Sequence, residues 1–267
     1  MPTSRIPNLL HLMFFLALTL FCFLLSEAGV LALTHGTPAA ITLANPSRQL
    51  AVLCAAYVFT LSASLFAFPI LWLRPFLEGL RWNAAKARLP FALLGLAIGF
   101  AAQGLIVFIP HPKDLPIEQI FRNPGMIWFL VLFGVVLGPL FEEVVFRGFL
   151  LPALAIAVDY LRVPRDPDPL VSLQHLTAWR STSTLSKPAV ILSTIVTSAL
   201  FALIHGPQLG YTWQALAVLG TFSVVLCMVR LRTDSVAAST LVHGSYNLTV
   251  FLSLFVASGG FRHLDRL

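Results

Sequence analysis

Seven apolar runs, each long enough to cross a bilayer, recur along this chain, and charged residues are confined almost wholly to the links between them. The runs cover about 9–33, 50–73, 90–109, 126–158, 188–205, 211–231 and 235–257. Inside hydrocarbon every backbone N–H and C=O must be satisfied within the protein, so a segment of about 20 apolar residues reads as a helix that spans. Composition agrees: 58% of the 267 residues are hydrophobic and only 10% are charged, whereas a soluble domain is nearer a quarter charged. The expected fold is all-α, a polytopic transmembrane helix bundle of seven spans forming a single membrane domain over 1–267. The first run has Arg5 as its only preceding charge and is long enough to span, which predicts an uncleaved helix rather than a signal peptide. Cys22, Cys54 and Cys227 all fall inside apolar runs without paired spacing, so they read as packing residues.

Orientation follows from the basic residues. With seven spans, one side receives Arg5, Arg74, Arg81, Lys86, Arg88, Arg162, Arg165, Arg180, Lys187, Arg230 and Arg232; the other receives Arg48, Lys113, Arg122, Arg262 and Arg266. Positive residues stay on the cytoplasmic side, which predicts a cytoplasmic N-terminus. Splitting 126–158 at Gly138-Pro139 gives an eight-span alternative but nearly erases this bias, so one long, kinked helix is preferred. The polar loop 159–187 is expected to be an irregular or interfacial excursion. The net charge of +6 is scattered through the links, not gathered as a nucleic-acid footprint. Trp72, Trp82, Trp128 and Trp213 near span ends read as aromatic-belt residues.

Ionisable groups at membrane depth are costly and mark function. The run from 126 to 158 contains three near its centre: Glu142, Glu143 and Arg147. Glu143 and Arg147 are four apart and share a helical face, so they can pair; Glu142 points about 100° away round the axis. His205 closes the next run before Gly206-Pro207, and His243 and Asn247 share a face of the last helix. At about 1.5 Å of rise per residue, Glu142 and His205 both lie roughly 25 Å from the loop that joins their helices, and His243 and Asn247 roughly 14–20 Å from the same side. One shared site is compatible with these depths. A carboxylate and an imidazole can hold a water and accept its proton, while a second imidazole and an amide can stabilise an oxyanion. Glu142, His205 and His243 are equally a possible zinc ligand set, though not in the His-Glu-x-x-His pattern.

Taken in order, Glu142-Glu143-x-x-x-Arg147, Phe201-x-x-x-His205 and His243-x-x-x-Asn247 resemble the three motifs of the CAAX-protease and bacteriocin-processing (CPBP, or Abi) family, which includes the type II CAAX prenyl proteases. The resemblance runs from about Met126 to Phe255, with the motif-bearing catalytic helices at 126–257. It implies an intramembrane endopeptidase in which Glu142 and His205 activate water, His243 and Asn247 stabilise the oxyanion, and Glu143 and Arg147 support them. It further implies a glutamic mechanism without a cofactor, zinc being the alternative, and a protein or peptide substrate that can be prenylated. The short links and first helix suit a bacterial plasma membrane. Two other functions fit the same residues: a non-catalytic immunity or toxin-binding protein, and a proton-coupled transporter with Glu142 and His205 as a relay. The absence of detectable symmetry between the halves weighs against the transporter.

Overall fold

The computed structural model describes residues 5–34, 45–108, 125–182 and 184–264. Lys113, Arg122 and Arg266, which count towards the charge bias between the two sides, lie outside the described residues. Six helices are long and apolar enough to span: α1 (Leu9–Leu33), α2 (Pro46–Trp72), α4 (Ile127–Leu161), α6 (Lys187–Ile204), α7 (Trp213–Thr233) and α8 (Val236–Ala257). The shorter apolar helix α3 (Leu89–Ile106) takes the remaining expected place. No strand occurs among the described residues. The protein is thus a multi-pass helical membrane bundle.

The link expected to be an irregular or interfacial excursion carries a further helix, α5 (Pro169–Ser181), none of whose residues is buried. The local reason is visible in the chain. The Asp168 side chain accepts from the Leu170 N–H as an N-cap, and Pro169 takes the first helical position, where a missing N–H costs nothing. Similarly, α2 begins at Pro46, ahead of the expected 50, because Asn45 caps the Ser47 and Arg48 N–H groups.

α4 is one run and is not split at Gly138-Pro139. It passes that proline and Pro152 by widening. Phe133–Leu137 and Val144–Leu150 are π-helical, so Gly138 N–H reaches the Phe133 carbonyl and Leu151 N–H the Phe146 carbonyl. A proline in a regular α-helix clashes with the carbonyl four residues back; the wide turn just before each proline relieves that crowding. Between the two lies a short α segment, Gly138–Glu143, which carries both glutamates.

Two packing regions hold the bundle. On one side α1, α2 and α4 share an aromatic core of Phe15, Phe68, Trp72, Phe76, Phe141 and Phe149. Trp72 is only 4% exposed, so it is a core residue and not part of an aromatic belt; Trp128 and Trp213 are exposed as expected. On the other side α3 packs along α8. A Cβ on Gly95 would stand 2.3 Å from the Val242 carbonyl oxygen, and one on Gly99 2.4 Å from Thr249 Oγ1. The two backbones therefore touch through glycines four apart, the close approach by which helices associate where lipid removes the hydrophobic drive. Gln103 Nε2 donates to Thr249 Oγ1 at 2.7 Å in the same seam. Gly95→Leu should force α3 off α8 and lower the thermal midpoint in detergent by several degrees or prevent folding. An unchanged midpoint would show that the seam is not tight.

The links at one end also interlock. Arg5 Nη1 pairs with Asp159 at 3.1 Å and its Nε donates to the Trp179 carbonyl. Val236 N–H donates to the Arg81 carbonyl, and Lys86 Nζ to the Thr233 carbonyl. The N-terminal segment, the link after α2, the end of α4 and the α7–α8 turn thus share one end of the bundle, as alternating spans require.

Candidate active site

Adjacent positions on α4 send the two glutamates to different surroundings. Glu143 is wholly buried. Its Oε1 accepts from Arg147 Nη1 at 2.9 Å and from His243 Nδ1 at 3.0 Å. Arg147, also wholly buried, donates from Nη2 to the Ser223 carbonyl at 3.0 Å and to Ser223 Oγ at 2.5 Å. The guanidinium stands over the Phe201 ring, 4.7 Å from its centroid. A buried carboxylate is tolerable only when paired and hydrogen-bonded; the pairing is made at Oε1 by groups from α4 and α8, with Ser223 of α7 behind Arg147, while Glu143 Oε2 and the Arg147 Nε–H have no hydrogen bond among the described residues.

Glu142 lies about 100° round the helix and is 23% exposed at its side chain. Its Oε2 is 3.8 Å from His205 Nε2 and 3.8 Å from His243 Nε2. Both separations exceed hydrogen-bond length. Each imidazole is oriented from behind. His205 Nδ1 lies 2.7 Å from the Phe201 carbonyl, which can only accept, so Nδ1 carries the proton. His243 Nδ1 likewise donates to the Glu143 carboxylate. In both rings Nε2 is the atom left to face Glu142.

Local folding explains how these atoms meet. His205 is the C-cap of α6, where the helix ends at Gly206-Pro207, so its ring sits at the helix terminus and reaches a carbonyl one turn back. α8 approaches α4 through Gly244, where a Cβ would stand 2.6 Å from the Val135 carbonyl oxygen. That contact brings His243 against Glu142 and Glu143. Asn247, one turn further on, donates from Nδ2 to the Gly134 carbonyl at 2.8 Å. Glu142, His205 and His243 are thus brought together directly. Glu143 and Arg147 are joined behind them, and Asn247 is tethered to the first π-helical segment of the same helix.

Several partners carry no sequence motif. Ser223 is a lone hydroxyl in an apolar run, and Gly134 contributes only a carbonyl. Phe201 was visible as the first residue of a motif. Its threefold contact, with Arg147, His205 and His243, was not. Tyr57 on α2 stacks on Phe141 with ring centroids 3.7 Å apart and lies within electrostatic reach of Glu142. Other histidines have structural work: His11 Nδ1 accepts from the Asn8 N–H in a capping box, and His175 Nδ1 lies 3.2 Å from the Pro164 carbonyl.

As zinc ligands the three residues are spaced widely. Zinc at about 2.0–2.1 Å from two ligands in a tetrahedron holds them about 3.3 Å apart, less than the 3.8 Å from Glu142 Oε2 to either imidazole. Among the described residues no set of three His, Cys, Asp or Glu side chains is gathered closely enough to hold a metal ion.

A helical bundle that brings a carboxylate and two oriented imidazoles together between its spans belongs to the class of polytopic membrane proteins with a polar site inside the bundle. Residues 124–249 match the family model described as Type II CAAX prenyl endopeptidase Rce1-like. The resemblance read from the three motifs therefore holds over the segment that carries them. Over that segment the chain is similar to the CAAX prenyl endopeptidases, proteases that act on protein substrates in a membrane setting. No curated protein and no solved structure matches the chain.

Proposed function

We propose that the protein is an intramembrane endopeptidase in which Glu142 and His205 activate the attacking water. The observation that carries this reading is the placement of Glu142 Oε2 at 3.8 Å from both imidazole Nε2 atoms, each ring having its Nδ1 proton committed elsewhere. A separation of that size admits one water oxygen at about 2.8 Å from the carboxylate and from His205 Nε2. The water donates one hydrogen to each. As it attacks the scissile carbonyl carbon, Glu142 takes its proton and later delivers it to the leaving amine. The carbonyl oxygen becomes the oxyanion. His243, carrying on Nε2 a proton taken from solvent before the attack, donates it as a hydrogen bond to that oxygen while its Nδ1–H stays on Glu143. The second N–H of the Asn247 amide supplies the other bond. Glu143 and Arg147 touch no reacting atom in this scheme; they fix the orientation of His243.

The interior position of the cluster and the family match support a C-terminal, CAAX-type substrate, prenylated at the residue that precedes the cut. The excess of basic residues on the side of Arg5 supports a cytoplasmic N-terminus. A panel of quenched fluorogenic peptides, with and without a prenyl group, tests the reading on purified protein in detergent. Wild type should cleave prenylated members, His205→Ala should lose about 10²–10⁴-fold in kcat/KM, and a strong chelator should leave wild type unchanged. Loss of cleavage to chelator with recovery on added zinc would replace the glutamic mechanism by a metal-assisted one on the same residues.

A further inference from the structure

A cavity of about 520 Å³ opens at the end of the bundle where the N-terminal segment, the link after α2 and the α7–α8 turn interlock, and it runs inward to Arg147. It is separate from the face on which Glu142, His205 and His243 meet, none of which lines it. Five arginines do: Arg5, Arg74, Arg81, Arg147 and Arg230. Three carboxylates answer them. Asp159 holds Arg5, Glu143 holds Arg147, and Asp234 is shared by Arg81 and Arg230. Five guanidiniums against three carboxylates leave two positive charges unbalanced around one concavity. Arg74, half-buried, has no hydrogen bond or ion pair to any described residue. The Arg230 side chain is 8% exposed and that of Arg147 not at all, yet the Nε–H of each is buried without an acceptor among the described residues. A buried N–H without a partner costs free energy, and both stand in the arginine cluster whose charge exceeds that of its carboxylates. Leu151, Ile156 and Val190 give the same cavity an apolar wall.

We propose that this cavity binds a phosphate group and that the headgroup of an anionic phospholipid supplies it. The geometry favours a phosphate because arginine forks match its oxygens in bidentate fashion. It favours a lipid because Arg5, Arg74 and Arg230 stand at helix ends, the level of headgroups in a bilayer, where basic pockets between spans take such groups. The apolar wall suits glycerol and the first methylenes. Arg147 faces this cavity and also holds Glu143, so one guanidinium is common to the lipid site and to the support of His243. Occupancy therefore bears on the candidate catalytic cluster without entering it.

The test reads binding and not cleavage, so its failure is distinct from failure of the peptidase reading. The thermal midpoint of the full chain in detergent is followed on adding phosphatidylglycerol, phosphatidylcholine, inorganic phosphate, or a short peptide with a free terminal carboxylate. Variants are Arg74→Gln, whose side chain holds nothing in the fold, Arg74→Gln/Arg230→Gln, and Arg262→Gln at the other end of the bundle as control. Phosphatidylglycerol should raise the wild-type midpoint by about 5 °C or more. Arg74→Gln should lose at least about half of that shift, while Arg262→Gln keeps it, and phosphatidylcholine should do nothing. Protection by inorganic phosphate alone, dependent on Arg74, would keep the phosphate site and move its source from lipid to free ion. Equal protection by phosphatidylcholine, an undiminished shift in Arg74→Gln, protection by the carboxylate peptide only, or no shift with any probe would each overturn the proposal.

Discussion

Glu142→Gln should abolish peptide cleavage, by about 10²–10⁴-fold or to below detection, while leaving the thermal midpoint within a degree or two of wild type. Glutamine keeps the shape and the hydrogen-bonding reach of the side chain but cannot take the proton of water. Glu142 is partly exposed, at 23%, and no direct hydrogen bond ties it to either histidine, so little stability depends on its charge. Activity assay and unfolding curve must be read together. Full activity in the folded variant would remove Glu142 from the chemistry and with it the proposed mechanism.

Arg147→Met should have the largest effect on stability. It removes the counter-charge of Glu143 at a site where both side chains have no exposure. Breaking one partner of such a pair costs about 3–5 kcal/mol, because the remaining charge is left buried and uncompensated. The two hydrogen bonds to Ser223 are lost as well. The double variant Glu143→Gln/Arg147→Met removes the stranded charge and should recover much of that loss, while still mis-setting His243. Chemical unfolding of the single and double variants in detergent checks both statements. A single variant as stable as wild type would show that the pair does not lock the bundle.

The spans were legible in the chain because lipid allows so few alternatives: an apolar run of sufficient length has little choice but to be a helix. The Glu143–Arg147 contact was legible because i, i+4 spacing is local geometry. What required coordinates was everything set by packing between helices. Trp72 at a span end could belong to a belt or a core, and only its neighbours Phe68 and Phe76 decide for the core. Pro139 looked like a kink or a break, since sequence does not reveal that a wide turn precedes it. The role of Ser223 and the convergence of arginines from separate links depend on which helices lie side by side, which no spacing along one helix reports. α5 did have a local signal, Asp168 followed by Pro169, a cap and a helix-starting proline that the polar composition of the link obscured.

The two wide turns of α4 bracket the short α segment Gly138–Glu143. Each such turn holds one residue more than a regular α-helical ladder would count, so the glutamates stand at a different angle from the one a regular helix running from Ile127 would give them. The angle at which the acid pair meets the imidazoles is thus set by two wide turns, each lying just ahead of a proline.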